Sequence, residues 1–524
     1  MPSAPVSYRL DNAAAGRRVL DFVARRFDHQ RQAGEPLSTT FYDSFDWRIF
    51  RQNSVLKAQF DGHSKVLYWV RADGSERHRV PITDKPGLVR DLPPSSLRDE
   101  LASVLEMRRL QQLFTIESQA ETLLILDVRR KTVARLQWER SKVHPAQGDR
   151  PSTDLPFVLR ATPIRGYDKH FEALLRELAN LNLEPLEVDE FVLAADLTGL
   201  QPGAYSRRLD LHLDPTWRSD VALKIILQRL FQVMQQNEEG LRANLDSEFL
   251  HDFRVSVRRT RSALTQLKGV LPPAMMARFK TEFSWLGQIT GPTRDLDVYQ
   301  LKMPDYRASL PEHLRSDLDP LNQFLELHQR NEHRDLVQLL GTQRYQTLLT
   351  EWRLFLDQPL AEDPLRPEGA TPILDLASRR IWRSSRRVFK KGGAIELDTP
   401  AEALHRLRIE CKKLRYLLEF FRSLYPEDEL LTLIDALKRL QDNLGDFNDL
   451  EVQQQTLKQF AQTMLVEKIG TVNSLMAMGR LVERLEKRQV EERQIFHRRF
   501  EQFSSSKNRK RFRKLFKPVE ITVA

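Results

Sequence analysis

The chain has 524 residues, 41% of them hydrophobic, with 82 Lys and Arg against 72 Asp and Glu and a formal charge of +10. This supplies packed cores, about three domains by length, and a lean towards anionic partners. A single cysteine, Cys411, excludes an internal disulfide or thiolate zinc site; no apolar run approaches the ~20 residues that span a bilayer, and Met1–Asp11 lacks the apolar core of a signal peptide. A soluble, cytoplasmic protein is expected.

Residues 1–200 read as an α+β domain with an antiparallel sheet. Short β-rich runs at Thr39–Asp43, Val66–Val70, Glu121–Leu126 and Val133–Trp138 are accompanied by the turn signals Asp61-Gly62 and Asp73-Gly74. Helical periodicity covers 17–26, 96–113 and 167–181. Residues 145–156 are polar and proline-bearing and read as a surface loop, and Gly199–Gly203 leads into a linker.

From Asp214 onwards the chain is nearly all helix. Pro215-Thr216 opens a helix through Gln236, and Asp246 caps the next one. Thr399-Pro400-Ala401-Glu402 offers a capping threonine, proline at the first helical position and glutamate at the capping-box position. Breaks at Gly291-Pro292 and Leu444-Gly445 predict about four helices per repeat, hence two four-helix bundles related by an approximate twofold axis. The repeats cover about 213–358 and 372–505 of a helical domain at 213–505, joined by a proline-bearing connection at 359–372.

The repeat itself is carried by His251-x-x-Arg254-x-x-x-Arg258-Arg259-x-Arg261 and His405-x-x-Arg408-x-x-x-Lys412-Lys413-x-Arg415, offset by 405 − 251 = 154. Leu286, Gly291, Asp295, Leu296 and Val298 recur at the same offset as Leu440, Gly445, Asp449, Leu450 and Val452, which marks an internal duplication. At about 100° per residue, His251, Arg254, Arg258 and Arg261 fall within an arc of about 80°. Leu250, Phe253, Val257, Leu264 and Leu267 fill a neighbouring arc of about 100°. The second copy repeats this with His405, Arg408, Lys412 and Arg415 beside Leu404, Leu407, Cys411, Leu418 and Phe421.

Each helix thus buries an apolar stripe beside a row of cations with few carboxylates at i±3 or i±4 to relieve it. A missing anion is implied, and neighbouring cations are expected to lower both histidines' pKa in the empty protein. Lys224, Arg294, Arg383 and Lys438 are further candidate anion contacts, while Asp295 and Asp449 are read as helix caps or arginine orienters. Nucleic acid is an alternative ligand, but the cation faces carry no aromatic platform for bases. An unadorned phosphate chain fits better.

Residues 506–524 form a basic tail: Lys507–Lys517 holds seven cations, with Phe and Leu interleaved, suited to polyanions or anionic membrane surfaces, or else a solvated disordered tail. His328, His333 and His497 lack partners at metal-ligand spacing, and no P-loop or dinucleotide glycine pattern exists. No cofactor or metal is expected.

The duplicated H-x-x-R-x-x-x-[RK]-[RK]-x-R helices, with Gly291-x-x-x-Asp295 and Gly445-x-x-x-Asp449, resemble the CHAD family. That resemblance implies two pseudo-symmetric four-helix bundles around a basic cavity that binds inorganic polyphosphate. It makes His251, Arg254, Arg258, Arg259, Arg261, His405, Arg408, Lys412, Lys413 and Arg415 its contacts, and targeting to polyphosphate granules a role.

The stretch Thr40–Arg48, the strands after it and the helix at 167–181 are similar to CYTH domains, the triphosphate-tunnel proteins. An active member opens on an E-x-E-x-K strand whose carboxylates hold Mg²⁺; here that stretch is Val6–Asp11, without the pair. The later acidic pair falls on Phe157–Ala161, which has no acid, and the R-x-R strand appears as Lys57-Ala58-Gln59. A catalytically silent relative is therefore expected, with no enzymatic activity; triphosphate hydrolysis is the alternative. Arg9, Lys57, Arg71 and Arg160 are left as a second anion site or as scattered surface charge.

Overall fold

The computed structural model describes residues 5–146, 151–186, 189–360, 366–396 and 398–518. The predicted loop at 145–156, the predicted connection at 359–372 and the end of the predicted tail lie partly outside the described residues. The chain divides into two compact units after Ser206.

The first unit runs β1 (Val6–Leu10), α1 (Ala13–Ala24), β2 (His29–Ala33), β3 (Leu37–Ser44), β4 (Ser54–Phe60), β5 (Lys65–Arg71), β6 (Glu76–Pro81), α2 (Ser96–Leu105), β7 (Leu110–Leu126), β8 (Thr132–Pro145), β9 (Thr153–Asp154), β10 (Phe157–Pro163), α3 (Asp168–Ala179), β11 (Glu184–Pro185) and α4 (Glu190–Leu197). Its strands form one antiparallel sheet in the order β11-β1-β10-β8-β7-β3-β4-β5-β6, with β2 on β7 and β9 on β8. Gly62 and Gly74 take φ of +93° and +80° in the predicted turns, a backbone region that strains any side chain. The helix predicted over 96–113 stops at Leu105, because Glu106 takes a positive φ and Leu110 then opens β7.

One face of this sheet packs α1 and α3 around Leu136, Leu159 and Phe171, and α2 around Leu56, Leu67 and Leu101. The other face packs α4, which the sequence reading missed. There Phe41, Phe114 and Phe191 meet with ring centroids 5.0–5.6 Å apart.

The second unit is all-helical: α5 (Ser219–Arg242), α6 (Ser247–Gln266), α7 (Pro273–Ile289), α8 (Gly291–Ser309), α9 (Asp319–Leu340), α10 (Gln343–Asp357), α11 (Ile373–Gly392), α12 (Ala401–Phe420), α13 (Glu427–Val466), α14 (Val472–Phe503) and α15 (Ser506–Phe516). The 154-residue offset extends to the element boundaries: 373 − 219, 401 − 247 and 427 − 273 all equal 154, so α11, α12 and α13 begin where α5, α6 and α7 predict.

Three local expectations are corrected. α5 begins at Ser219 rather than at Pro215. α12 begins at Ala401 with Pro400 at the cap, and Thr399 uses its hydroxyl to accept from the Glu396 amide instead of closing a capping box. Leu444-Gly445 is no break: α13 runs through it for 40 residues. The first copy divides at Thr290 because Pro292 follows, whereas the equivalent position 446 is an aspartate with an amide to donate. A lone helical glycine costs only about 1 kcal/mol. Asp246 does cap α6, accepting from the amides of Glu248 and Phe249 at 2.9 and 3.3 Å.

Equivalent positions meet in one core. Leu296 and Leu450, Met303 and Leu457, and Leu310 and Met464 are each 154 apart, and all six lie in a single apolar cluster built with α9 and α14. Symmetry mates that share a core lie beside the axis relating the copies. The two repeats are therefore interleaved along α8, α9, α13 and α14.

The basic segment at 507–517 is not a free tail. It is α15, which docks on α11 by burying Phe512 and Phe516, with Phe512 edge-on to the rings of Phe389 and Phe503. Its apolar side chains are spent on the protein rather than left for a membrane. Among the described residues, no helix is long and apolar enough to cross a membrane.

Candidate anion-binding site

The amphipathic pattern of α6 and α12 decides what faces where. Leu250, Phe253, Val257, Leu264 and Leu267 are all buried, as are Leu404, Leu407, Cys411, Leu418 and Phe421. The neighbouring arcs stay accessible: Arg258, Arg261 and His405 are exposed, and His251, Arg254, Arg408, Lys412 and Arg415 half-buried.

α6 and α12 also pack against each other. Glu419 on α12 accepts from Arg259 of the first copy at 2.8 Å and pairs with Arg415 of its own helix at 3.1 Å. This carboxylate, at i+4 from Arg415, is the one the sequence reading overlooked in judging the rows unrelieved. Arg258 and Lys412, equivalent positions 412 − 258 = 154 apart, lie within electrostatic reach of each other. Cations of both copies therefore converge at the junction, on the axis the shared core also marks.

Each row is held by residues near the end of α7, in α8 and in α13. Arg254 donates to the Gly287 carbonyl at 3.0 Å and to the Thr290 hydroxyl at 2.8 Å; Arg408 pairs with Asp449 at 2.9 Å. Asp449 therefore orients an arginine instead of capping a helix. Asp295, its counterpart inside α8, faces Arg254 and Arg294. The histidines diverge. The Arg294 guanidinium donates to His251 Nδ1 at 3.0 Å, while the Nδ1 of His405 bonds Asn448 Oδ1 at 2.6 Å. Asn448 occupies the position equivalent to Arg294 (448 − 294 = 154), so the same contact is made with opposite donor direction.

Among the described residues, Arg258, Arg261 and Lys412 have no carboxylate within ion-pair distance, and the buried Nε donors of Arg259 and Arg408 have no acceptor. Burial first, then Arg408 and Arg258, push Lys412 down to about 8. Burial and then Arg294 push His251 down to about 4, so its ring is neutral near pH 7. A bound polyanion favours the ammonium form, so affinity should be full below pH 8 and fall as pH rises from 8 towards 10. Lys412→Arg, charged throughout that range, should flatten the profile in calorimetric titrations; an unchanged slope would remove Lys412 from contact. The histidine at 251 titrates too low to govern this window.

Several candidates are placed elsewhere. Lys224 is buried, with Nζ on the carbonyls of Phe355 at 2.7 Å and Gln358. It satisfies the orphan carbonyls that end α10. Lys413 pairs with Glu410 at 3.4 Å, and Arg259 with Glu419 and the Arg207 carbonyl, so each already has a partner within the protein. Arg383 is exposed on α11 among other arginines, and Lys438 is exposed on α13. Arg294 joins the site. Beside it a cavity of about 230 Å³ shares Asp449 and is walled by Lys302, Arg484 and Arg488 with Asp305 and Asp446.

In the sheet unit the four candidate cations do not form one site. Lys57 and Arg160 lie on the face covered by α4, within reach of Glu139 and Glu190, and Arg160 pairs with Glu139 at 3.3 Å. Arg9 is exposed on β1, and Arg71 shares the opposite face with Leu67 and Trp69, bonding Ser75. A larger cavity, about 660 Å³, is lined by Glu35, Asp61, Glu117 and Asp154 with Arg140 and Lys142, and excludes both Lys57 and Arg160.

Residues 225–458 match the model of the CHAD domain family. Those residues are a CHAD domain. The matched span holds both cation rows and the α6–α12 junction. Among solved structures, the chain is similar to the CHAD domain from the plant Ricinus communis (28% identity, TM-score 0.46), over 56% of this chain and 96% of that one. It is similar to PptA from Streptomyces chartreusis (17%, TM-score 0.43), over 54% and 100% respectively. The sheet unit is similar to a proposed adenylate cyclase from Bacillus halodurans (9%, TM-score 0.26), over 36% and 95%. No curated protein matches the chain.

Proposed function

We propose that the CHAD domain binds inorganic polyphosphate at the junction of α6 and α12, and that the protein thereby attaches to polyphosphate granules. The observation that carries this reading is the meeting of Arg258 and Lys412, one from each copy, with no carboxylate within ion-pair distance of either among the described residues. Arg254, Arg261, Arg408 and Arg415 extend the charge along both helices. Tyr416, the aromatic nearest the second row, is buried and offers no face to a base, which favours an unadorned phosphate chain over nucleic acid.

The sheet unit is read as catalytically silent. β1 and β10 bear no carboxylates to hold a metal, and α4 with its phenylalanine cluster covers the face that Lys57 and Arg160 share. Release of phosphate from tripolyphosphate with Mg²⁺ or Mn²⁺ would overturn this.

The binding proposal is tested by titrating the full chain with polyphosphate and with RNA of equal charge over a range of salt. Polyphosphate should bind more tightly, with log affinity falling linearly in log salt by about 0.7 per phosphate engaged, as for single-stranded nucleic acid. A flat salt response, or equal binding of RNA, overturns it.

A further inference from the structure

α11 has the sequence Ile373–Gly392 with seven cations in the thirteen residues from Arg379 to Lys391, and α15 docks directly on it. The docking is apolar, through Phe389, Phe503, Phe512 and Phe516, and the Arg509 guanidinium lies 4.5 Å over the Phe389 ring. Two short-range consequences follow. The cations of both helices are turned outwards, and the aromatics between them are consumed by one another.

Among the described residues, three carboxylates reach this surface: Glu368 holds Arg379 and Arg380, Glu410 holds Lys391, and Glu429 holds Lys514. Between them Arg383, Arg386, Arg387, Lys390, Lys510 and Arg513 are exposed and have no ion pair among the described residues. At 1.5 Å per residue the α11 cations alone extend along about 18 Å. Glu410 also holds Lys413 on α12, so the α11 surface adjoins the helix that carries the second cation row.

We infer that the α11–α15 face is a second contact surface for the same phosphate polymer, engaged only by chains long enough to leave the α6–α12 junction and run across it. The inference rests on the polyphosphate reading of that junction. It selects for length: a short chain fills the junction alone, whereas a long one gains additional counterion release from the outer cations.

The test compares short-chain and long-chain polyphosphate on the full protein and on the triple variant Arg386→Ser/Arg387→Ser/Lys510→Ser, whose three side chains are exposed. The variant is expected to lose about tenfold in affinity for the long chain at low salt and to bind the short chain as wild type does. Circular dichroism and an unchanged short-chain affinity show that it is folded. Retention of full long-chain affinity, or equal loss for both lengths, overturns the inference and leaves the junction reading intact. Failure of the wild type to bind the short chain overturns the junction reading itself. Loss of duplex DNA binding with polyphosphate unaffected would make the face a nucleic-acid surface, and the inference would fall.

Discussion

Replacing Arg258 and Lys412 together by alanine is expected to weaken polyphosphate binding by at least about a hundredfold, and to raise the melting temperature of the unliganded protein. Each charge-assisted contact is worth about 1.5–3 kcal/mol, so losing two costs about 3–6 kcal/mol of binding. Every 1.4 kcal/mol is tenfold in affinity. The opposite sign for stability follows from geometry. In the empty protein these side chains bring like charges together at the α6–α12 junction, and Lys412 is held to a pKa of about 8 by burial first and then by Arg408 and Arg258. Removing them relieves repulsion that a bound polyanion would otherwise relieve. Calorimetric titration and thermal melts measure both quantities. Ordinary surface cations would shift either by no more than about 0.5 kcal/mol, and that outcome would sink the junction as the site.

Glu419→Gln is expected to do the reverse: to destabilise the protein by about 2–4 kcal/mol without weakening polyphosphate binding. Glu419 is the carboxylate that bridges Arg259 of one copy and Arg415 of the other, and its side chain and that of Arg259 are only 22% and 15% exposed. Removing one partner of a poorly solvated pair leaves the other charge uncompensated, which costs more than the pair itself contributes. A polyanion supplies the missing negative charge, so added polyphosphate should raise the variant's melting temperature by more than it raises the wild type's. Equal ligand-induced shifts would show that Glu419 is outside the electrostatic reach of the bound chain.

The duplication, the buried stripes of α6 and α12, the cap at Asp246 and the α+β and all-helical division were legible because each depends on periodicity or on residues close in sequence. What escaped is long-range. Lys224 looks like a free cation until the orphan carbonyls of α10, more than a hundred residues away, come to meet it. Gly445 looks like a break until its neighbour at 446 is compared with Pro292, the residue that makes the first copy divide. Residues 507–517 look solvated because their cations outnumber their phenylalanines, yet it is the phenylalanines that find a groove. Glu419 was legible at i+4 from Arg415, but its partner Arg259 was not, since nothing local says that α6 and α12 touch.

The shared core of Leu296 with Leu450, Met303 with Leu457, and Leu310 with Met464, continued by Arg258 beside Lys412, has a consequence for direction. A junction whose halves are near-copies about an axis presents much the same charges to a strand entering from either side. Polyphosphate has no head or tail: reversed, it is the same molecule. A nucleic acid strand has two different ends, and if one half of the junction suits it, the other meets it backwards. On the proposed reading, the duplication matches the symmetry of the junction to the symmetry of a polyphosphate chain.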